Sequence, residues 1–256
     1  MAYQWQIHAR DNQLPPEGNW SVWLVMAGRG FGKTRTGAEF IRDSAERYPG
    51  IRMAIAGRTA SDVRDVMVEG ESGLLSVCPP WDKPIYEPSK RRVTWKNGSQ
   101  VTTYTADEPD QARGPQHARL WADELAAWRY PDAWDQLMFG LRLGDSPRAV
   151  ATTTPRPTKL IREIIKDPSS VVTRGSTYDN RQNLSSAFFD RIIKKYEGTT
   201  LGRQELLAEI LDEVPGALWN RSMIDSAKSN GHPELTRIVV AVDPATTSKE
   251  SSNETG

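Results

Sequence analysis

Val25-Met26-Ala27-Gly28-Arg29-Gly30-Phe31-Gly32-Lys33-Thr34 decides how the rest of the chain reads. The apolar run Ser21 to Ala27 reads as a buried strand. Three glycines follow, and Gly32-Lys33-Thr34 opens a helix over Lys33 to Arg47. Strand, glycine-rich turn and helix in that order make a cradle for nucleotide phosphates. Glycine lets the backbone bend with its N–H groups inward, and the helix presents its positive end to the anion. In such a cradle Lys33 reaches the β- and γ-phosphates of ATP and Thr34 offers its hydroxyl to Mg²⁺. The strict pattern has glycine where Ala27 stands; Gly28, Gly30 and Gly32 still leave the loop free to bend.

Leu120-Trp121-Ala122-Asp123-Glu124 is the second signal. A core strand over Arg119 to Ala122 ends in two carboxylates. Nucleotide hydrolysis needs both: Asp123 to bind Mg²⁺ directly or through water, and Glu124 as the general base on the attacking water. An acidic pair at a helix start is also an ordinary cap. The upstream loop favours the chemical reading.

Length and charge bound the rest. The chain has 256 residues, with 33 basic and 33 acidic side chains. It is long enough for one large domain or two smaller ones. Zero formal charge neither supports nor excludes a nucleic-acid partner, because local patches decide. One cysteine, Cys78, excludes an intrachain disulfide framework and fits a reducing compartment. No stretch approaches eighteen uninterrupted apolar residues, and the first residues lack the apolar core of a secretory signal, so a cytoplasmic setting is expected.

Ile51 to Ala56 is a second apolar strand, which makes a βαβ opening and implies a parallel sheet. Trp5, Trp20 and Trp23 read as anchors. Thr59 or Ser61 is the candidate cap of a helix ending near Gly70. Arg91 to Trp95 and Gln100 to Tyr104 alternate around Asn97-Gly98, which predicts an antiparallel hairpin at the sheet edge. Asp107 to His117 reads as a loop, Pro131 to Phe139 as a helix and Arg148 to Thr152 as a strand. A helix over Thr158 to Ile165 and a strand over Ser170 to Arg174 follow. Ser185 to Tyr196 and Leu201 to Leu211 have helical spacing, and Arg237 to Val242 reads as a further strand ending in Asp243.

With these residues in view, the chain resembles the large terminase subunit of tailed double-stranded DNA bacteriophages. The resemblance runs through His8 to Pro16, the glycine loop, Ala112-Arg113-Gly114-Pro115, the acidic strand and Thr152-Thr153-Thr154-Pro155. It continues in Gly175 to Asn180, Gly202 to Leu206 and Val240 to Ala245. It implies a P-loop NTPase fold of the ASCE type, α/β, with a mostly parallel sheet flanked by helices and a small helical lid. The implied division is an ATPase core at 1–174, a lid and linker at 175–235, and at 236–256 the first strand of a ribonuclease-H-like nuclease. The sequence ends thirteen residues after Asp243, the first metal ligand such a nuclease would use, so a fragment without competent nuclease chemistry is expected.

The resemblance also implies roles. Arg10 and Gln13 would bind the adenine edge; the tryptophans nearby equally read as core anchors. Gly28, Arg29, Gly30, Phe31, Gly32, Lys33, Thr34 and Arg35 would hold the phosphates. Thr152, Thr153 and Thr154 would couple hydrolysis to movement, and Tyr178, Asp179 and Asn180 would close over the nucleotide or only form a turn. Arg113 would be an arginine finger reaching the next subunit's site, with a plain surface arginine as the alternative. Arg29 reads equally as a γ-phosphate contact in cis, a solvated loop residue or a link to a neighbour. The implied partners are double-stranded DNA, a portal protein, a small terminase subunit and further copies in a ring on the procapsid, in the host cytoplasm and without a membrane. A helicase or recombination ATPase is the nearest rival, and the Val240 to Ala245 strand argues against it. A non-catalytic nucleotide-binding adaptor is the other, and Glu124 argues against that.

Overall fold

The computed structural model describes residues 3–196, 199–210, 223, 226 and 227. Met1–Asp212 form one compact unit and Glu213–Gly256 a second. The strand expected at 237–242 and Asp243 lie outside the described residues.

The strands are β1 (Val22–Ala27), β2 (Arg52–Gly57), β3 (Ile85–Glu87), β4 (Arg92–Thr94), β5 (Gln100–Thr105), β6 (Arg119–Asp123), β7 (Arg148–Thr153) and β8 (Ser170–Gly175). The α-helices are α1 (Trp5–His8), α2 (Lys33–Arg47), α3 (Leu74–Val77), α4 (Asp132–Gly140), α5 (Lys159–Lys166), α6 (Ser186–Phe188), α7 (Lys194–Tyr196) and α8 (Thr200–Leu207). All eight strands join one sheet in the order β3-β4-β5-β2-β6-β7-β1-β8. Pairs from β5 through β8 are parallel; β3-β4 and β4-β5 are antiparallel. The parallel sheet with an antiparallel edge is therefore as the sequence implies.

Central strands read as continuous apolar runs because both faces are covered. Along β1, Val22, Leu24 and Met26 face a core shared with Trp134, Leu137, Ile161 and Ile164. Trp23, Val25 and Ala27 face the other core, with Ala38, Ile41, Ala45 and Trp121. Helices α4 and α5 thus cover one face and α2 the other. Helix α2 lies directly on Trp121: a Cβ at Gly37 would run into its indole ring. The hairpin turn ties down the far end of α2, since Asn97 Nδ2 donates to the Ala45 carbonyl at 2.7 Å.

Several local expectations need correcting. Strand β3 was not read from the sequence, because it is three residues long between Pro84 and Pro88. The segment over Asp62–Val68 is π-helical, and Thr59 rather than Ser61 caps it: Thr59 Oγ1 accepts from Asp62 N–H at 3.1 Å. A short 3-10 turn, Pro109–Ala112, sits inside the expected loop. Residues 186–196 form α6, a π-helical turn and α7 rather than one regular helix. Helix α8 stops at Leu207 because Ala208 turns left-handed, with φ 57°. Trp20 and Trp23 are buried, but Trp5 is half-buried under the Arg35 guanidinium.

His117 joins the entry of β6 to the end of α4. Its N–H donates to Gly140 O at 2.9 Å, and its carbonyl accepts from Arg142 and Leu143. Burial pushes its imidazole from 6.5 down to about 4, against a hydrogen bond to the Leu137 backbone. The folded pKa lies below the unfolded one, so the unfolded chain binds more protons between those values. Stability from this group is complete above about pH 6.5 and is lost as pH falls toward 4. Asp123, raised by burial to about 6, titrates with the opposite sign in the same range, so the His117 contribution is read as a difference. In urea unfolding at a series of pH values, wild type should lose up to about 3 kcal/mol relative to His117→Gln across that window. His117→Gln should keep only the opposite dependence that Asp123 contributes.

Candidate nucleotide-binding site

Strand β7 lies between β1 and β6, so three C-terminal strand ends stand side by side. Asp123 is in register with Thr152, Met26 with Thr153 and Ala27 with Gly175. The glycine loop, the acidic pair, the threonines and Gly175 therefore share one edge of the sheet. That is where open α/β sheets bind ligands. Glu124 follows β6 in a left-handed conformation, φ 50°, and starts the 3-10 turn Leu125–Ala127. This turn brings its carboxylate back toward the loop.

Lys33 is the junction of the site. Its Nζ donates to Ala27 O at 3.0 Å, Gly28 O at 3.3 Å and Thr154 Oγ1 at 3.0 Å. It also stands 3.5 Å from Glu124 Oε1, with only 8% of the side chain exposed. Glu124 Oε2 accepts the Thr154 N–H at 3.2 Å, yet 42% of this side chain faces solvent. A carboxylate oriented on one side and open on the other is suited to hold a water molecule.

Asp123 is held from beneath by a relay. The buried Trp121 indole N–H donates to Thr152 Oγ1 at 3.0 Å, and the Thr152 hydroxyl donates to Asp123 Oδ1 at 2.5 Å. Burial and the Glu124 charge push Asp123 up to about 6, against the Thr152 hydroxyl and Lys33. Thr153 faces the other way, its Oγ1 accepting from Ala126 N–H at 3.1 Å. Thr34 is the second residue of α2 and is partly exposed. One carboxylate and one hydroxyl are too few for an all-protein metal cage. Among the described residues no group of three or more His, Cys, Asp or Glu forms one. Such a donor set fits Mg²⁺, which keeps waters and takes phosphate oxygens.

The loop backbone is fastened by the chain after β8. Gly28 N–H donates to Gly175 O at 2.9 Å and Arg29 N–H to Glu205 O at 2.7 Å. Thr177 Oγ1 donates to Arg29 O at 2.7 Å, and Asn180 Nδ2 to Gly30 O at 2.7 Å. Gly28 has no room for a side chain: a Cβ would lie 2.7 Å from Leu206 O. The N–H groups of Lys33, Thr34 and Arg35 occupy the first turn of α2 and have no partner within the helix. They are the donors the fold leaves for an anion.

Arg10 and Gln13 frame the other side. Arg10 lies 4.7 Å over the buried Phe31 ring and donates to Phe31 O and Asn180 Oδ1. Gln13 Nε2 donates to Thr36 Oγ1 at 3.2 Å beside Gly32, whose φ of 102° favours glycine. Of the three expected lid residues, Asn180 reaches the loop. Asp179 caps the turn at Ser176, and Tyr178 packs beside Phe189. The Arg35 guanidinium is engaged by Glu39 at 2.7 Å, which leaves its N–H at the loop. Arg29 pairs with Glu205 at 3.6 Å. Arg113 is 69% exposed and pairs with Asp110. Sequence reading missed Thr36 and Trp121 as contributors, and placed Thr177 and Glu205 only within segments that resemble a lid. Thr36 had a signal, one helical turn beyond Gly32; Trp121 read only as core.

Fold and site together define a P-loop NTPase of the ASCE type, with the extra strand β7 between the loop strand and the acidic strand. A family model described as "Terminase large subunit, T4likevirus-type, N-terminal" matches residues 24–226, and the chain belongs to that family. It is similar in structure to the large terminase ATPase domain of Thermus phage P74-26, with TM-score 0.63 and 15% identity, covering 79% of this chain and 94% of that one. It is also similar to the large terminase of a thermophilic bacteriophage in complex with ADP, with TM-score 0.63 and 14% identity over 82% of this chain. There it covers 52% of the relative, so it spans about half of that protein. The HK97 bacteriophage large terminase matches with TM-score 0.53 and 16% identity, over 78% of this chain and 48% of that one. No curated protein matches the sequence.

Thr152→Val should leave the Trp121 N–H and one Asp123 oxygen without their partner. A loss of about 1–3 kcal/mol in urea unfolding is expected. Thr152→Ser, which keeps the hydroxyl, should recover most of it.

Proposed function

We propose that this chain is the ATP-hydrolysing part of a motor subunit that drives double-stranded DNA into a phage procapsid. One observation carries the reading. The Lys33 ammonium bridges the glycine loop, Thr154 and Glu124 at a sheet edge that also holds Asp123. That is the set of groups phosphoryl transfer to water requires. The terminase of the thermophilic bacteriophage was solved in complex with ADP and with ATP-gamma-S, which supports nucleotide binding by this chain.

The roles proposed for the residues combine this geometry with the family resemblance. Loop and first-turn N–H groups receive the phosphates, and Lys33 turns from its carbonyl partners to the β- and γ-oxygens. Thr34 and Asp123 would hold Mg²⁺, which would neutralise phosphate charge. Glu124, released from Lys33, orients water and takes its proton. Arg10 and Gln13 bind the base edge. Thr152 to Thr154 touch Asp123, Lys33 and Glu124 at once, so loss of the γ-phosphate is felt along β7. Arg113 acts on the site of the next copy in a ring; its exposure supports a role between subunits. A portal protein, a small terminase subunit and a host-cytoplasmic setting complete the proposal. Among the described residues no helix is long and apolar enough to cross a membrane.

Two mutants test the chemistry. Lys33→Ala should weaken ATP binding at least about tenfold and abolish turnover, since its charge faces the phosphates. Glu124→Gln should bind ATP and Mg²⁺ normally while turnover falls by a factor of a hundred or more, on the order of a lost general base. Steady-state phosphate release and fluorescent-nucleotide titration separate the two. Turnover near wild type in Glu124→Gln would refute the base assignment.

Arg113→Ala should bind nucleotide normally and hydrolyse poorly under conditions that assemble the ring. Adding Lys33→Ala subunits, which keep Arg113, should restore part of the activity. Absence of rescue would remove the role in trans.

A further inference from the structure

Glu124, the base of the proposed mechanism, stands on an unusual piece of backbone. Three of the described non-glycine residues have positive φ: Arg91, Glu124 and Ala208. Arg91 and Ala208 each follow the last residue of a helical turn, where a left-handed residue is a common terminator. Glu124 instead precedes one, the 3-10 turn Leu125–Ala127, with φ 50° and ψ 43°. A residue in that place is normally extended. The left-handed region also costs a side chain a clash that glycine escapes. Three hydrogen bonds hold the chain in this shape. Ala127 N–H donates to Glu124 O at 2.8 Å and closes the turn. Ala126 N–H donates to Thr153 Oγ1 at 3.1 Å and ties the turn to β7. The Trp128 indole Nε1–H donates to Asp123 O at 2.9 Å. Of the three, the last acts on the peptide unit that enters Glu124. Trp128 is 7% exposed and shares a core with Ala126 and Trp134, so its ring has little freedom to follow that carbonyl elsewhere.

We propose that Trp128 is a positioning residue for Glu124. Its indole N–H locks the Asp123–Glu124 peptide in the orientation that keeps Glu124 left-handed and its carboxylate beside the phosphate loop. The inference rests on the reading of Glu124 as general base. A flip of that peptide to give Glu124 an ordinary negative φ would turn the Asp123 carbonyl away. The Trp128 N–H would then be buried without a partner, which is costly. That cost is of the same order as the steric cost of the left-handed conformation, so the indole offsets the strain. Without the N–H the backbone gains a second conformation. In it Glu124 Oε2 leaves the Thr154 N–H, and Oε1 leaves the neighbourhood of Lys33. A base aimed at its water for part of the time removes the proton more slowly. Phosphate binding is untouched, because the glycine loop, Lys33 and the first turn of α2 are held by other contacts. The Asp123 carboxylate is also held separately, by the Thr152 hydroxyl.

The test removes the N–H and keeps the ring. Trp128→3-benzothienylalanine puts sulfur where the N–H stands, and Trp128→5-fluorotryptophan keeps both ring and N–H as the conservative variant. Each is placed in the full chain, and the sulfur variant is also combined with Glu124→Gln. The readouts are steady-state phosphate release at saturating ATP, titration of ATP-gamma-S with Mg²⁺, and a thermal melt. The sulfur variant should lose about tenfold in turnover, less than the loss expected when the base itself is removed. Its affinity for ATP-gamma-S should stay within about twofold of wild type, and the fluorinated variant should match wild type in both. In the Glu124→Gln background the sulfur atom should change turnover less than about twofold, since no base is left to aim. Unchanged turnover in the sulfur variant would overturn the proposal. A loss of affinity as large as the loss of turnover, an equal loss in the fluorinated variant, or a sulfur variant that does not fold would make Trp128 a strut of the core and overturn it too. A further loss in the Glu124→Gln background would place its action elsewhere than on the base, with the same consequence. Wild-type turnover in Glu124→Gln alone would instead overturn the base reading, and this inference with it.

Discussion

A carboxylate buried at the end of β6 is the constraint on which the rest of the edge depends. An ionised group removed from water is costly unless hydrogen bonds and opposite charge offset it. Asp123 has both, from the Thr152 hydroxyl and from Lys33. Neither is local in sequence. Thr152 reaches Asp123 because β7 pairs with β6 in the register that sets the two residues opposite each other. Lys33 comes from the helix that packs on Trp121, through the space Gly37 leaves. Trp121 in turn donates into the same Thr152 hydroxyl. Core packing and site electrostatics are one set of contacts, so a slip of β7 by one residue would remove the hydroxyl from Asp123 and the indole together.

The glycine loop poses the complementary problem. A curve of backbone with few side chains must satisfy its own polar groups. It does so by division. Gly28 and Arg29 direct their N–H groups to Gly175 and Glu205, and the carbonyls of Arg29, Gly30 and Phe31 are met by Thr177, Asn180 and Arg10. The donors at the start of α2 remain for an anion. The chain after β8 is therefore a structural part of the loop rather than an appendage beside it. That relation was not visible in composition or periodicity.

The parallel core, α2 to the residue and the antiparallel hairpin were legible because long apolar runs and an Asn-Gly turn leave few alternatives. That Lys33, Asp123, Glu124 and Thr154 meet at one sheet edge was legible because their motifs stand at the ends of core strands. What escaped reading has a common cause. β3 is too short for a pattern; the π-helical segments are too short to show a period of their own; and Ala208 ends α8 by a backbone angle that alanine does not advertise. Among site residues, Trp121 and Glu205 act through partners 31 and 176 positions away. Only the tertiary fold brings them there.

The departure at Ala27 follows from the same geometry. A strict loop would place glycine there, on the expectation that the chain turns at that residue. In this chain β1 continues through Ala27, which is in register with Gly175 and fully buried in the α2-side core. The turn begins one residue later, at Gly28, where the backbones of Glu205 and Leu206 close in to within 2.8 Å of a would-be Cβ. The requirement for a missing side chain has moved with the turn. A methyl at 27 fills core, whereas a methyl at 28 would push α8 off the loop and take the Arg29 N–H contact with it. The pattern is thus read correctly by asking where the backbone must approach another backbone, and the answer here is Gly28.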